Sequence, residues 1–196
     1  MELRRLGRSE YLPTLEAMRS FTAGRTEATP DELWLLEHPP VYTLGQGASH
    51  EPPANGIALI RADRGGDITY HGPGQLVVYT LVDLARRGIK VKQFVTLLEQ
   101  AVIDLIGAGA ERRPGAPGVY VSGAKVAALG IRVRQGRAYH GLALNVDMDL
   151  SPFDAIDPCG YPGLAVTQLR DLGIPGPVDA VADRLAALLV ERIEHA

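Results

Sequence analysis

Residues 118–150 read GVYVSGAKVAALGIRVRQGRAYHGLALNVDMDL, and their alternation decides the fold class. GVYVS and KVAALGIRV are strand-length runs rich in β-branched residues, separated by Gly123-Ala124, and glycine at the first turn position predicts a type II′ hairpin. GRAYHGLALNVDMDL then alternates so that His140, Leu142, Leu144, Val146, Met148 and Leu150 share one face. Upstream, QLVVYTLVDL from Gln75 is apolar on both parities, which predicts a central strand covered on both sides. LWLLEH, Pro39-Pro40 and VYTLG predict two short strands across a rigid corner, and further strands fall near 57–61 and 67–70.

Helices surround these strands. Tyr11, Leu15, Met18 and Phe21 recur at helical spacing after Ser9, predicting a helix over 10–24. From Lys92, Phe94, Leu97, Leu98, Ala101, Val102, Leu105 and Ile106 mark one face of a helix that Gly107 and Gly109 stop. A short helix is expected over 166–172, and Pro177 opens a last one carrying Val178, Val181, Leu185, Leu188, Leu189 and Ile193. With no linker or repeat, the reading is one domain over 1–196: α/β (α+β), a mixed sheet flanked by helices.

The 196 residues carry 20 Lys plus Arg against 23 Asp plus Glu, a net charge of -3, so no global positive field exists to hold nucleic acid or an anionic membrane. The N-terminus lacks the apolar core of a secretory signal, and the chain reads as cytoplasmic. One cysteine, Cys159, excludes an internal disulfide framework and a multi-cysteine zinc site. Two readings of Cys159 stand: a packed thiol, or a nucleophile in DPCGYPG, where Pro158 and Gly160 shape the backbone and leave room for another molecule. Lys125 likewise reads two ways. It shares strand parity with Ala127, Leu129, Ile131 and Val133, so its stem lies along apolar surface, either to snorkel or to lose its proton through desolvation and act as a base.

Residues 64–75, RGGDITYHGPGQ, concentrate four glycines beside an arginine and a histidine and read as a pocket wall. There is no GxxxxGK[ST] and no GxGxxG after a strand, so neither nucleotide motif is present. His71 and His140 lack a third ligand at recognisable spacing, so no metal is expected.

Taken together, RGGDITYHGPGQLVVY, SGAKVAALGIRV, YHGLALNVDMDL and IDPCG, in this order, resemble the lipoyl(octanoyl) transferase family, with EHPPVYTLG also fitting. The resemblance implies the core shared with biotin and lipoate protein ligases, which is class II synthetase-like. It implies that Cys159 becomes acylated and that Lys125 lowers the thiol's pKa. It places acyl-substrate contacts at Arg64, Gly65, Gly66, Asp67, Ile68, Thr69, Tyr70 and His71, at Ala128, Leu129 and Gly130, and at Gly141, Leu142 and Ala143. Thr80, Leu142 and Gln168 depart from the family's usual proline, phenylalanine and serine, and Leu142 bears on the width of the acyl tunnel.

The activity so implied is octanoyl transfer from octanoyl-acyl carrier protein to a lysine amine, on lipoyl domains of 2-oxoacid dehydrogenase E2 subunits or on the glycine-cleavage H protein, through an acyl-cysteine thioester. No cofactor is implied, because thioester to amide is downhill without ATP. An acidic carrier would dock on Arg132, Arg134 and Arg137, or on Arg86, Arg87, Lys90 and Lys92. The rival readings are an ATP-dependent lipoate ligase, a non-catalytic binding module and a thioesterase.

Overall fold

The structure is a computed structural model that describes residues 1–46, 48, 53, 55–156 and 163–196. In chain order the elements are β1 (Glu2–Arg8), α1 (Tyr11–Gly24), β2 (Glu32–Glu37), β3 (Val41–Leu44), β4 (Leu59–Arg61), β5 (Ile68–His71) and β6 (Gln75–Asp83). There follow α2 (Leu84–Arg87), α3 (Val91–Ile106), β7 (Ala110–Arg112), β8 (Gly118–Val121), β9 (Ala124–Arg134), β10 (Arg137–Asn145) and α4 (Val178–Glu194). Among the described residues seven strands form one sheet in the order β1-β2-β6-β10-β9-β8-β7, and β4-β3-β5 form a second. β1 runs parallel to β2 and β3 parallel to β4, while the other pairs are antiparallel, so both sheets are mixed.

β6 is the central strand that its sequence predicts, with all nine residues buried. One parity, Leu76, Val78 and Val82, packs with Phe94, Leu98 and Val102 of α3 and Leu185 and Leu189 of α4. The other, Val77, Tyr79 and Leu81, packs with Tyr11, Leu15 and Met18 of α1. Each large apolar side chain so withdrawn from water contributes about 1.5–3 kcal/mol, which makes this two-sided burial the spine of the fold. The Pro39-Pro40 corner separates β2 and β3 into different sheets, and the small sheet closes its own cluster of Tyr42, Tyr70, Met148 and Phe153.

Several expectations need correction. The hairpin turn is Ser122-Gly123, both at positive φ (48° and 89°), between the paired residues Val121 and Ala124. That is type I′ rather than II′, because glycine takes the second turn position and serine accepts the first left-handed one. The short helix expected over 166–172 is only a 3₁₀ turn, Leu169–Leu172, because Val166 instead bridges Lys125 as an extra strand position. β1 was not expected: its residues are largely polar and exposed, and it joins the sheet through backbone pairing with β2, helped by Arg4 on Glu32 and the Trp34 ring and by a half-buried Leu6. Beside it, Arg25, Arg86 and Arg87 converge on the buried carboxylate of Asp31.

Candidate active site

A β-bulge decides where Lys125 sits. Tyr120 pairs with Lys125 but Val119 with Ala127, so β9 carries one extra residue at this point. Strict alternation would put Lys125 on the face of Ala127 and Leu129. The bulge instead sends Val126 and Ala127 together into the α3–α4 core and leaves Lys125 opposite Tyr120, on the face of Ala128 and Gly130. The Lys125 stem is buried at 3% exposure, its Nζ lies 5.3 Å over the Tyr120 ring, and it donates to Pro117 O at 3.4 Å. Gly118 makes room for it, since a Cβ there would stand 2.9 Å from Lys125 Cε.

On that face lies a narrow slot with about 480 Å³ of empty space, its open mouth included. Ala128, Gly130, Gly141 and Ala143 make its floor, and Leu129 and Leu142 border it. Gly130 must lack a side chain, because a Cβ would approach Gly65 O to 2.8 Å. The 64–71 segment forms a wall with Arg64, Gly66, Asp67, Ile68, Thr69 and His71. Two residues of the same run turn elsewhere: Gly65 donates its N–H to Ile131 O and borders a neighbouring apolar hollow with Val95 and Pro117, while Tyr70 packs on Tyr42 and Phe153. Leu142 packs in the core with Val78 and Leu129, so its size bears on that core more than on the slot.

Arg64 is buried and holds the wall to β3, with Nη2 donating to Thr43 O at 2.6 Å and Nη1 to Gly65 O at 3.0 Å. From there a directed chain of hydrogen bonds crosses to Lys125. Arg64 donates to Thr43 Oγ1, and the Thr43 hydroxyl donates to His71 Nε2 at 3.3 Å. His71 Nδ1 donates to Gln75 Oε1 at 2.7 Å, and Gln75 Nε2 donates to Asn145 Oδ1 at 2.9 Å. Asn145 Nδ2 donates to Thr167 O at 2.9 Å, and Thr167 N in turn donates to Lys125 O at 2.9 Å. Every member is buried or half-buried, so the chain fixes the β9 bulge and the wall in one geometry.

His140 was expected to share the face of Leu142 and Leu144, and it does not. Its φ of 61° turns the side chain to the other face, where it and Tyr139 stack with centroids 5.0 Å apart and both reach Asp63. His140 Nε2 lies 2.7 Å from Asp63 Oδ1, and Tyr139 donates to Oδ2 at 2.7 Å. Left-handed backbone at a bulky residue costs about 1–3 kcal/mol, and Thr80 holds it by donating to His140 O at 3.0 Å. Burial would raise the Asp63 carboxyl, but hydrogen bonds from His140, Tyr139 and Arg19 outweigh it and hold Asp63 far below the usual carboxylate range. Burial lowers His140, against the pull of Asp63. Burial also pushes His71 down to about 3 and His38, which accepts from Tyr79 Oη at 2.7 Å, down to about 4, so both are neutral at pH 7. Among the described residues no cluster of three His, Cys, Asp or Glu could hold a metal.

Cys159 lies outside the described residues. Of the described residues flanking it, Ile156 and Val166 both pack on the small-sheet cluster, and Lys125 N donates to Ala165 O at 2.8 Å. Sequence reasoning missed Thr43, Asp63, Asn145 and Tyr11 of this site, and took Gln75 only as the end of the 64–75 run. Asp63 adjoins Arg64 and was within reach, but no spacing rule pairs it with His140 across 77 residues.

The chain matches the family described as "Lipoyl protein ligase A/B catalytic domain" over residues 10–189. It is 60% identical to the octanoyltransferase of Aromatoleum aromaticum over 95% of this chain and 83% of that one. To the octanoyltransferase of Dechloromonas aromatica it is 56% identical over 98% of this chain and 97% of that one. Among solved structures it resembles a lipoate-protein ligase A bound with ATP, with a TM-score of 0.76 and 17% identity, over 99% of this chain and 86% of that one. It also resembles the biotin protein ligase of Aquifex aeolicus, with a TM-score of 0.58 and 11% identity, over 100% of this chain and 70% of that one. These two bear out the ligase-like core as a fold.

Proposed function

Because the chain belongs to the lipoyl protein ligase A/B catalytic-domain family and is an octanoyltransferase-type acyltransferase within it, we propose that it moves an octanoyl group from octanoyl-acyl carrier protein to a lysine of a lipoyl domain through Cys159. In this reading the whole chain acts as one catalytic unit in the cytoplasm. The observation that carries the proposal is the β9 bulge, which turns the Lys125 side chain onto the face of the slot. Among the described residues no helix is long and apolar enough to cross a membrane.

The chemistry runs in two steps. Lys125 takes the proton of the Cys159 thiol, and the thiolate adds to the donor's thioester carbonyl. The tetrahedral adduct collapses, the C–S bond to the carrier breaks, and the carrier thiolate leaves with the proton that Lys125 took from Cys159, which returns Lys125 to its neutral amine. The acceptor lysine amine then adds to the acyl-cysteine carbonyl, Lys125 accepts the amine's proton, and the Cys159 thiolate departs as the amide forms. The slot wall of Arg64, Gly66 and Thr69, with the floor of Ala128, Gly130, Gly141 and Ala143, holds the apolar chain. E2 lipoyl domains and the glycine-cleavage H protein are the proposed acceptors.

The test is the intact mass of the protein mixed with octanoyl-acyl carrier protein. One octanoyl adduct is expected, labile to hydroxylamine, absent in Cys159→Ser, and transferred when a lipoyl domain is added. No adduct, with ATP-dependent loading of free lipoate instead, moves the protein to the ligase reading. An adduct that only water resolves makes it a thioesterase.

For docking of the acidic carrier the reading favours the β9 candidate over the one that carries Arg86, Arg87 and the exposed Lys90 and Lys92. Arg86 and Arg87 are committed to Asp31, and Arg137 pairs with Asp83 at 3.6 Å. Arg132 and Arg134 are exposed on β9, and Arg132 reaches Gln46 at the edge of the 64–66 wall. Reversing both charges, Arg132→Glu with Arg134→Glu, is expected to lower kcat/KM for the carrier donor about tenfold or more at low salt. The rate with octanoyl-pantetheine should hold; an equal loss on both donors would remove this patch.

A further inference from the structure

Glu99 is a buried acid that the scheme above leaves unused. It lies on the face of α3 that also carries Leu98 and Val102, and it is 6% exposed. A carboxylate so withdrawn from water is costly unless something answers its charge. Its hydrogen bond comes from backbone: Gly118 N donates to Glu99 Oε1 at 3.0 Å.

The peptide that supplies this N–H also holds Lys125. Its carbonyl is Pro117 O, which accepts from Lys125 Nζ at 3.4 Å. In a trans peptide the C=O and N–H point to opposite sides of one plane, so Glu99 and the Lys125 amine flank a single peptide unit. Its dipole is aligned with both, the N–H toward the carboxylate and the C=O toward the ammonium. Gly118 keeps the amine side open, since a Cβ there would stand 3.3 Å from Nζ. The other charges near the pair come from β7 and the turn after it. Arg112 faces Glu99 but is exposed and donates to Gln100, and Arg113 covers the Tyr120 ring at 4.5 Å, the ring over which Nζ lies at 5.3 Å. Burial raises the Glu99 carboxyl, and the Gly118 N–H, Arg112 and Lys125 pull it back.

We propose that Glu99 is the counter-charge of Lys125, a positioning residue acting through the Pro117–Gly118 peptide so that the buried amine can hold the proton it takes from the thiol. This rests on the octanoyl-transfer reading and adds a residue to it. An amine deprived of water holds a proton poorly, because its charged form loses its hydration. An opposite charge behind the peptide restores that form without opening the apolar bed to solvent. Glu99 itself passes no proton. It stays ionised while the proton moves from thiol to amine and on to the departing carrier thiolate.

The experiment compares Glu99→Gln with the unmodified protein, because glutamine keeps an oxygen for the Gly118 N–H and removes only the charge. Lys90, Lys92 and Lys125 are the lysines of the chain, so heteronuclear NMR at lysine Cε follows the Lys125 amine directly, with Lys125→Met identifying its signal. In Glu99→Gln that titration is expected to move to lower pH by about one unit, the lower end of what a neighbouring opposite charge does. Formation of the octanoyl adduct at pH 7 should slow about tenfold, since one unit of basicity is about one power of ten in the proton transferred. A carboxylate that merely braces the loop is replaced by the amide, so an unmoved titration with an undiminished rate overturns the counter-charge. Coupling is reciprocal, and the Glu99 carboxyl should titrate at higher pH in Lys125→Met. That measurement decides the case if Glu99→Gln does not fold, and an unmoved carboxyl overturns the proposal. If the unmodified protein forms the adduct and neither titration moves, the counter-charge falls and the transfer reading stands. If it forms no adduct but the titrations move as expected, the coupling of Glu99 to the amine stands and the transfer reading falls.

Discussion

Lys125→Ala is expected to slow acyl-adduct formation from octanoyl-acyl carrier protein by about 10³-fold at pH 7, within the range by which positioned bases assist proton transfer. The loss should be chemical. The lysine stem runs over Gly118 and its amine sits against Pro117 O and the Tyr120 ring, at the end of a strand whose pairing is backbone-made. Removing the stem therefore costs no more than an ordinary large-to-small change, about 2–3 kcal/mol. The pH profile distinguishes a base from a passive cation. Without a proton acceptor, a thiol of ordinary pKa near 8.5 is only about 3% thiolate at pH 7, so the variant's rate should climb nearly tenfold per pH unit until about 8.5. Lys125→Arg keeps the charge but cannot accept a proton, and it should not recover the rate. Recovery by arginine, or a flat profile in Lys125→Ala, would make the role electrostatic and remove the proton transfer from the scheme.

The parts of the fold that rest on burial were legible from sequence. QLVVYTLVDL announces its two-sided burial because both parities of β6 are apolar, and the stripes of α3 and α4 announce the face they cover. What strict alternation could not give were its interruptions, and the candidate site is made of those. Lys125 was read on the face of Leu129 because parity was counted through a bulge that only β8 imposes. His140 was read with Leu142 because a left-handed φ inside a strand leaves no trace in residue type when the residue is not glycine. β1 was invisible because its sequence, ELRRLGR, buries almost nothing. The run RGGDITYH was recognisable as a wall, yet which members face the slot depends on Thr43, which holds Arg64 from 21 residues away. Local rules name the loop; long-range pairing aims it.

Acidification from pH 7 to pH 5 is expected to remove about 4 kcal/mol of stability, a fall of roughly 8–16 °C in Tm. His38 and His71 carry most of this, and His140, also lowered by burial, adds in the same direction. Burial dominates both shifts, and each ring is locked as the tautomer that donates from Nδ1, to Ser9 O and to Gln75 Oε1, while Nε2 accepts from a hydroxyl. Adding a proton at Nε2 would bury a charge and turn the Tyr79 or Thr43 hydroxyl away from its partner. The two rings lie 5.8 Å apart with Arg64 nearby, so a charge on one also opposes a charge on the other. The sign follows from the depressed values. Above the unfolded histidine value of about 6.5 neither state takes the proton and stability is full. Below it the unfolded chain binds protons that the folded one refuses until about 4 and about 3, so stability drains as pH falls through that window. At pH 5 each histidine has lost about 2 kcal/mol. Glu99, whose carboxyl is raised by burial, works in the opposite direction and blunts the lower end. Asp31 and Asp63, both lowered, add their own losses only below the ordinary carboxylate range, which leaves pH 5–6.5 to the histidines. His38→Gln keeps a donor and an acceptor in place without a titrating ring, and it should cut the difference in Tm between pH 7 and pH 5 by up to half. An unmodified protein whose Tm is level across that interval, or a His38→Gln variant with the full difference, would remove buried neutral histidine as the cause.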